Sequence, residues 1–145
     1  MNVLFVCRGN VGRSQMAEAI FAQLTAGKHS VGSAGIEAYG DEGKDLDGMP
    51  LKDRKSSMYV IESLKEIGID VSGNTIKRLT PAMIKNTDKI FIMTKQDGIP
   101  DFLKTSEKVV YWDIEDPDGQ TLETHRKVRD EIGKLVRAII KDGIK

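Results

Sequence analysis

A cysteine, two glycines and two arginines lie close together near the start of the chain, in the segment Cys7-Arg8-Gly9-Asn10-Val11-Gly12-Arg13-Ser14. If a helix begins at the end of this segment, the backbone N–H groups of residues 8–13 can curl around a tetrahedral oxyanion, and the helix dipole adds positive potential. Gly9 and Gly12 permit unusual backbone conformations, and Asn10 tolerates a left-handed one. The planar guanidinium of Arg13 can hold two phosphate oxygens at once. The segment therefore predicts a phosphate-binding loop.

Cys7 is the candidate nucleophile of this loop. The positive potential that attracts a phosphate also favours the thiolate form of the cysteine, and the Ser14 hydroxyl can donate to the sulfur. A thiolate beneath a bound phosphoryl group is placed for in-line attack. A single cysteine after a buried strand can also be an inert core residue, but here the strand, glycines, arginine and helix start fall in register. We expect these residues to bind substrate: Arg8, Gly9, Asn10, Val11, Gly12 and Ser14.

Four carboxylates follow the last predicted strand, namely Asp113, Glu115, Asp116 and Asp118. Attack by Cys7 on phosphorus requires a proton donor for the leaving group, and the same residue can later deprotonate water. Asp116 precedes Pro117, which restricts its backbone. The alternative is a solvated acidic turn, because Asp-Pro-Asp-Gly is also good turn composition.

Strands and helices alternate along the chain, which predicts an α/β fold with four parallel strands and helices on both faces of the sheet. In such folds ligands bind at the carboxyl ends of the strands, where both Cys7 and the acidic cluster lie. Ser14 and Thr80 are expected N-caps. The predicted strands are residues 2–6, 30–34, 89–93 and 108–112. One predicted helix begins at residue 14, a second includes residues 60–67, and two more cover residues 81–85 and 121–141. Residues 35–57, which include Gly40, are predicted to be irregular.

The composition excludes several classes of protein. The 145 residues fit a single domain over 1–145, and 22 basic against 22 acidic residues give no net charge, which disfavours nucleic-acid binding. The apolar run near the N-terminus is too short to cross a membrane, so we expect a cytoplasmic protein. One cysteine and two histidines exclude an internal disulfide and the usual structural zinc sites. We expect neither a metal nor a cofactor, and the oligomeric state is unknown.

The chain resembles the low-molecular-weight protein tyrosine phosphatases and the related thioredoxin-coupled arsenate reductases over nearly its whole length. The resemblance implies hydrolysis of phosphate monoesters, in particular protein phosphotyrosine, through a cysteinyl-phosphate. It implies Cys7 and Arg13 as catalytic residues and Asp116 as the general acid, phosphorylated proteins or small phosphomonoesters as substrates, and inhibition by phosphate-like oxyanions. The segments that carry it are residues 7–18, Ser33-Ala34-Gly35, Gly68-Ile69-Asp70, Asp116-Pro117 and residues 128–132.

The sequence departs from this family's pattern at two places. Many family phosphatases carry aromatic residues directly after the Asp-Pro pair, whereas Asp118 and Gly119 follow here. The wall that packs a phenyl ring is then either missing or supplied by Tyr39, Tyr59 or Trp112. Where the family often carries a histidine that braces the loop asparagine, we expect Asn74.

Two alternative functions remain open. Arsenate mimics phosphate, and the final third of the chain resembles the arsenate reductases. Those enzymes pass oxidation to two further cysteines, which this chain lacks, so reduction of arsenate would require an external thiol such as glutathione. A non-catalytic phosphate-binding module is the other alternative, and the presence of Cys7, Arg13 and Asp116 disfavours it.

Overall fold

The computed structural model describes residues 1–39 and 43–143. Gly40, which the sequence places in the irregular segment, lies outside the described residues. Two 3₁₀ helices, Leu51–Asp53 and Lys55–Ser57, interrupt the rest of that segment. The regular elements are β1 (Asn2–Cys7), α1 (Arg13–Thr25), β2 (Ser30–Gly35), α2 (Met58–Lys65), α3 (Pro81–Lys85), β3 (Lys89–Ile92), α4 (Asp101–Lys104), β4 (Val109–Tyr111) and α5 (Leu122–Lys141).

The four strands form one parallel sheet in the order β2-β1-β3-β4. The register pairs Cys7 with Gly35 of β2 and Val6 with Ile92 of β3. The chain therefore leaves β1 toward one neighbour and later returns on its other side, which makes the carboxyl end of β1 the topological switch point. The predicted parallel four-stranded fold is confirmed.

Alternate residues of β1 supply two separate cores. Val3 and Phe5 pack with the apolar residues of α1, α2 and α5. Leu4 and Val6 pack on the opposite face, against side chains that include Leu103 of α4 and Met83 and Ile84 of α3. The expectation of helices on both faces is therefore confirmed.

The expected N-cap role of Ser14 is wrong. Helix α1 begins at Arg13, its N-cap residue is Gly12, and no side chain caps it. Ser14 lies inside the first turn, where its hydroxyl contacts Cys7 and Asn10 instead of a helix N–H. Thr80 precedes α3 as expected but makes no side-chain cap, whereas the Thr121 hydroxyl accepts the N–H of Thr124 at the start of α5.

Within residues 1–39 and 43–143, no helix is both long enough and apolar enough to cross a lipid bilayer.

Candidate active site

A cavity of about 230 Å³ opens at the carboxyl end of β1. Its lining brings together Cys7, the following loop and the segment after β4, which are far apart in sequence. From the loop it includes Arg8, Gly9, Val11, Gly12 and Arg13, and from the later segment Asp116, Pro117 and Asp118. The topology therefore places the predicted nucleophile and two of the four predicted acidic residues at one site.

The backbone of the loop leaves its N–H groups available to an anion. None of the N–H groups of residues 8–13 donates to an acceptor in the described part of the chain. The left-handed residue is Asn10, with φ of 58°, as the sequence predicts, whereas Gly9 and Gly12 do not have positive φ. A run of unpaired backbone donors of this kind, at the start of a helix, attracts oxyanions.

Cys7 lies at one end of a chain of hydrogen bonds. Its sulfur is 2.9 Å from Oγ of Ser14, and Nδ2 of Asn10 donates to that same hydroxyl at 2.8 Å. Because Ser14 already accepts from Asn10, its own proton is free to be given to the sulfur. The Ser14 hydroxyl is therefore placed to act as a hydrogen-bond donor to the Cys7 sulfur.

The chain of hydrogen bonds continues to a carboxylate on the next turn of α1. Nδ2 of Asn10 also donates to Oγ of Ser33 at 2.9 Å, and that hydroxyl donates to Glu18 at 2.5 Å. Asn10, Ser14 and Ser33 are all buried. Asn10 and Ser14 therefore hold the loop and the sulfur from behind, and they do not line the cavity.

Gln15, and not Asn74, braces the loop asparagine. Nε2 of Gln15 donates to the backbone oxygen and to Oδ1 of Asn10, each at 3.1 Å, and Oδ1 also accepts the backbone N–H of Lys77 at 2.8 Å. Asn74 donates to Oε1 of Gln15 at 3.3 Å. Asn74 therefore acts on Asn10 through a second side chain, which corrects the expected direct contact.

The buried guanidinium of Arg13 joins the loop to the ends of β3 and β4. Its Nη1 donates to the backbone oxygens of Met93 and Ile114, the latter at 3.1 Å, and its Nη2 lies 3.5 Å from Oδ2 of Asp116. Met93 directly follows β3, and Ile114 lies three residues beyond the end of β4. The position of the arginine is therefore fixed by the backbone.

Asp116 and Asp118 line the cavity that contains Cys7, but Asp113 and Glu115 do not. Those two residues line a separate cavity on the other side of Arg13, together with Trp112. The side chain of Asp116 is 57% exposed, and its Oδ1 accepts the N–H of Asp118 at 3.0 Å. Of the four acidic candidates, Asp116 alone pairs with Arg13.

Tyr39 is the aromatic residue at the rim of the cavity. Arg78 lies over its ring at 5.7 Å from the centroid and pairs with Asp45 at 2.7 Å. The hydrogen bond from Arg78, assisted by the backbone N–H of Asp47, lowers the pKa of the Asp45 carboxyl. Trp112 packs instead on Phe91 in the core, with ring centroids 4.7 Å apart.

Tyr59, the third expected wall residue, packs edge-on against His125 at 5.5 Å and lines a neighbouring cavity. Of the three aromatic residues expected to form the wall that packs a phenyl ring, only Tyr39 lines the cavity that contains Cys7.

Arg8, expected to bind substrate, lines the cavity and pairs with Glu37 at 3.2 Å. Gln15 and Lys77 support the loop, and Glu37, Arg54 and His125 form part of the cavity wall, although no sequence pattern predicts these roles. These residues belong to no local motif, and their roles follow from contacts that the fold creates. Within the described residues, no three His, Cys, Asp or Glu side chains cluster as a metal site.

Comparison with known proteins agrees with this geometry. The family model described as low molecular weight phosphotyrosine protein phosphatase matches residues 2–142. An arsenate reductase of Staphylococcus aureus (strain Newman) is 34% identical over 131 residues, which cover 90% of this chain and 88% of the relative. A glutaredoxin arsenate reductase of Synechocystis is 34% identical over 142 residues, which cover 95% of each chain.

Solved structures give the same result. A low molecular weight protein tyrosine phosphatase from T. tengcongensis matches with a TM-score of 0.79 and 30% identity, over 98% of this chain and 99% of that one. An arginine phosphatase with a phosphorylated active-site serine matches with a TM-score of 0.78 and 28% identity, over 100% and 97%. Wzb of Vibrio vulnificus, in complex with benzylphosphonate, matches with a TM-score of 0.82 and 27% identity, over 97% of each chain.

With a cysteine at the start of an anion-binding loop, and with relatives of both kinds over nearly its whole length, the chain belongs to the low molecular weight phosphotyrosine protein phosphatase family of cysteine-based phosphatases and related arsenate reductases.

Proposed function

We propose that this protein hydrolyses phosphate monoesters, and among them phosphotyrosine in proteins, through a phosphoryl group carried on Cys7. The observation that carries the proposal is the combination of a sulfur 2.9 Å from the Ser14 hydroxyl with an unpaired array of loop N–H groups. The first supports a thiolate, and the second binds the dianion that the thiolate attacks.

In the first step the Cys7 thiolate attacks phosphorus in line with the ester oxygen. The new S–P bond forms as the P–O bond to the substrate breaks, and the electron pair of that bond leaves on the alcohol or phenol oxygen. Asp116, as the acid, gives its proton to that oxygen. The loop N–H groups and Arg13 hold the three equatorial oxygens, where negative charge accumulates.

In the second step water attacks the phosphorus of the cysteinyl-phosphate. Asp116, now a carboxylate, accepts a proton from the water, and the P–S bond breaks to return the thiolate and release inorganic phosphate. The same residue is thus acid and then base, as microscopic reversibility requires for a double displacement. Its contact with Arg13, at 3.5 Å, keeps the carboxylate at the phosphate-binding loop.

An aromatic phosphate ester is the favoured substrate because Tyr39 offers a ring at the rim of the cavity and Arg78 fixes that ring. Two aromatic rings in contact prefer offset or edge-on arrangements that stabilise binding beyond the area they bury. The relative from Vibrio vulnificus, which was solved in complex with benzylphosphonate, supports the same choice.

The second candidate function is reduction of arsenate with an external thiol, which the two arsenate reductases among the relatives favour. Reduction of arsenate to arsenite takes two electrons, and two thiols supply them when they form a disulfide. Cys7 is the only cysteine of the chain, so the second thiol must come from a separate molecule. This requirement makes the hydrolytic reaction the better supported of the two.

The two functions are distinguished by one pair of assays. We expect para-nitrophenyl phosphate and phosphotyrosine to be hydrolysed with a chelator present, and arsenate to act as a competitive inhibitor that is not consumed when glutathione or glutaredoxin is added. The Cys7→Ser variant is the control for both assays and should be inactive. No hydrolysis together with thiol-dependent formation of arsenite would instead establish the reductase. Neither reaction, with arsenate still bound, would indicate a binding module.

A further inference from the structure

Arg54 lies in the wall of the active-site cavity, and the proposed mechanism does not use it. Arg8, Arg13 and Arg54 all line the cavity. Arg8 pairs with Glu37 at 3.2 Å and Arg13 with Asp116 at 3.5 Å. Arg54 forms no ion pair with any residue in the ranges that the structure describes, and its Nε is buried there without an acceptor. An arginine left in this condition is a ready donor to an anion.

The backbone at Arg54 is held firmly, although the Nε of its side chain has no acceptor among the residues that the structure describes. Arg54 separates the two 3₁₀ helices, and its N–H donates to the oxygen of Leu51 at 3.1 Å. Its own oxygen accepts both the N–H of Ser57 at 2.9 Å and the Ser57 hydroxyl at 2.7 Å. Ser57 is itself buried. The guanidinium therefore extends from a fixed point, and its position at the cavity wall is a property of the fold.

A second cavity of about 410 Å³ adjoins the first at this arginine. The two cavities share Arg54, Ser56, Asp118 and His125 in their linings. Lys55 and Gln120 line only the second cavity, which thus has two cationic side chains against one carboxylate. The ring of His125 packs edge-on against Tyr59, and its Nδ1 lies 2.8 Å from the backbone oxygen of Thr121, so the shared wall is rigid.

We propose that this second cavity is a subsite for a second anionic group of the substrate, with Arg54 as the residue that binds it. The substrate class is a phosphotyrosine peptide that carries an acidic group, either a carboxylate or a second phosphoryl group, beside the phosphorylated residue. The phosphotyrosine occupies the cavity that contains Cys7, and the neighbouring acidic group reaches Arg54 and Lys55. This proposal rests on the proposed function, because it assigns a preference among the substrates of that reaction.

The test compares phosphotyrosine peptides that differ only in the flanking residue, which is Glu, Gln or Lys. The readout is the ratio of kcat/KM for the Glu peptide to that for the Lys peptide, because a ratio cancels changes in folded fraction or in catalysis. We expect wild type to prefer the Glu peptide. In Arg54→Gln the ratio should fall about tenfold, which is the effect of losing one hydrogen bond to a charged group. Arg54→Lys should restore part of the ratio, and Arg54→Glu should invert it.

The matched control is Lys52→Gln, which removes an exposed charge from the adjacent 3₁₀ helix. Lys52 lines neither cavity, so its loss should leave the ratio unchanged. An equal ratio in wild type and Arg54→Gln, or an equal effect of Lys52→Gln, would overturn the subsite. A further peptide with a flanking phosphoserine distinguishes the two anions. If its kcat/KM exceeds that of the Glu peptide, the subsite binds a phosphoryl group; if it does not, the subsite binds a carboxylate.

Failure of the subsite is distinguishable from failure of the proposed function. If wild type hydrolyses no phosphotyrosine peptide, the proposed function is wrong, and binding of the same peptides to the Cys7→Ser variant by calorimetry still measures the subsite. Tighter binding of the Glu peptide, abolished by adding Arg54→Gln, would support the subsite. Equal affinity for the Glu and Lys peptides would overturn it.

Discussion

The Nη2 atom of Arg13 lies 3.5 Å from Oδ2 of Asp116, so the residue that ends the phosphate-binding loop touches the carboxylate proposed as the acid. Arg13 is buried and anchored on the backbone oxygens of Met93 and Ile114, whereas the carboxylate is more than half exposed. The buried, anchored guanidinium therefore positions the exposed carboxylate. A phosphate held by Arg13 is then also within the range of Asp116.

Replacement of Asp116 by Asn should lower kcat for aryl phosphates by about 100- to 10,000-fold, the usual contribution of general acid–base catalysis. The loss should be larger for phenyl phosphate than for para-nitrophenyl phosphate, because the poorer leaving group depends more on the acid. Steady-state kinetics with the two esters measures this difference. Asp113→Asn is the control, since Asp113 lies outside the cavity that contains Cys7. A comparable loss of kcat in Asp113→Asn would contradict the assignment of Asp116 as the acid.

Gln15→Ala should lower the free energy of unfolding by about 1–3 kcal/mol, because it leaves buried acceptors of the loop without their donor. Gln15 is fully buried and donates to Asn10 and to the backbone oxygen of Thr75. Urea denaturation checks the value. Gln23→Ala on the exposed side of the same helix is the matched control, and equal effects of the two variants would show that the buried contacts do not stabilise the loop.

Gly35→Ala should displace the phosphate-binding loop. A Cβ at this position would lie 2.7 Å from the backbone carbon of Gly9 and 2.8 Å from the backbone N of Asn10, with no flexible side chain to yield. We expect a loss of about 1–3 kcal/mol in unfolding free energy and weaker binding of inorganic phosphate by calorimetry. Gly32→Ala, whose Cβ would meet only the Leu4 side chain at 3.6 Å, should bind phosphate normally; identical behaviour of the two variants contradicts this packing.

Glu66 should make stability depend on pH. Hydrogen bonds from Arg126, at 2.6 Å, and from Arg129, at 2.8 Å, lower the pKa of the Glu66 carboxyl below its usual value of 4.5. A carboxyl with a depressed pKa in the folded state stabilises the fold above its unfolded pKa, and that stabilisation is lost as the pH falls through the folded value.

The measurement for Glu66 is urea denaturation of wild type and Glu66→Gln at several pH values. Wild type should be the more stable at neutral pH, and the difference should shrink below about pH 4.5, the usual pKa of the glutamate carboxyl. Glu62→Gln, in the last turn of α2 before Glu66, removes a carboxylate that forms no ion pair with the described residues and should show no such dependence. A difference that is constant with pH would rule out the ionic explanation.

The fold and the centre of the site could be predicted because their signals are local. The apolar run of β1, the loop that follows it and the Asp116-Pro117 pair are each contained in a few consecutive residues. Helix α4 was missed because the four residues of Asp101–Lys104 are too few to show a helical period. The cap prediction for Ser14 failed because propensity favours any serine at a helix start, while here the sulfur and Asn10 take its hydroxyl.

The supporting residues could not be predicted, for a physical reason. Gln15 meets Asn74 and Thr75, and Asn10 meets Lys77, only after the segment before α3 has packed beside the loop. Arg54 lines the cavity because two 3₁₀ helices turn its backbone there. These contacts depend on tertiary packing, which composition and spacing do not encode.

The central claim is a phosphoryl group on Cys7 during turnover. Acid quenching of the wild-type enzyme while it hydrolyses para-nitrophenyl phosphate, followed by mass spectrometry of its peptides, tests this directly. We predict one added phosphoryl group on the peptide that contains Cys7, present during turnover and absent once the substrate is exhausted. Steady hydrolysis with no phosphoryl group on that peptide, or hydrolysis retained by Cys7→Ser, would contradict the account.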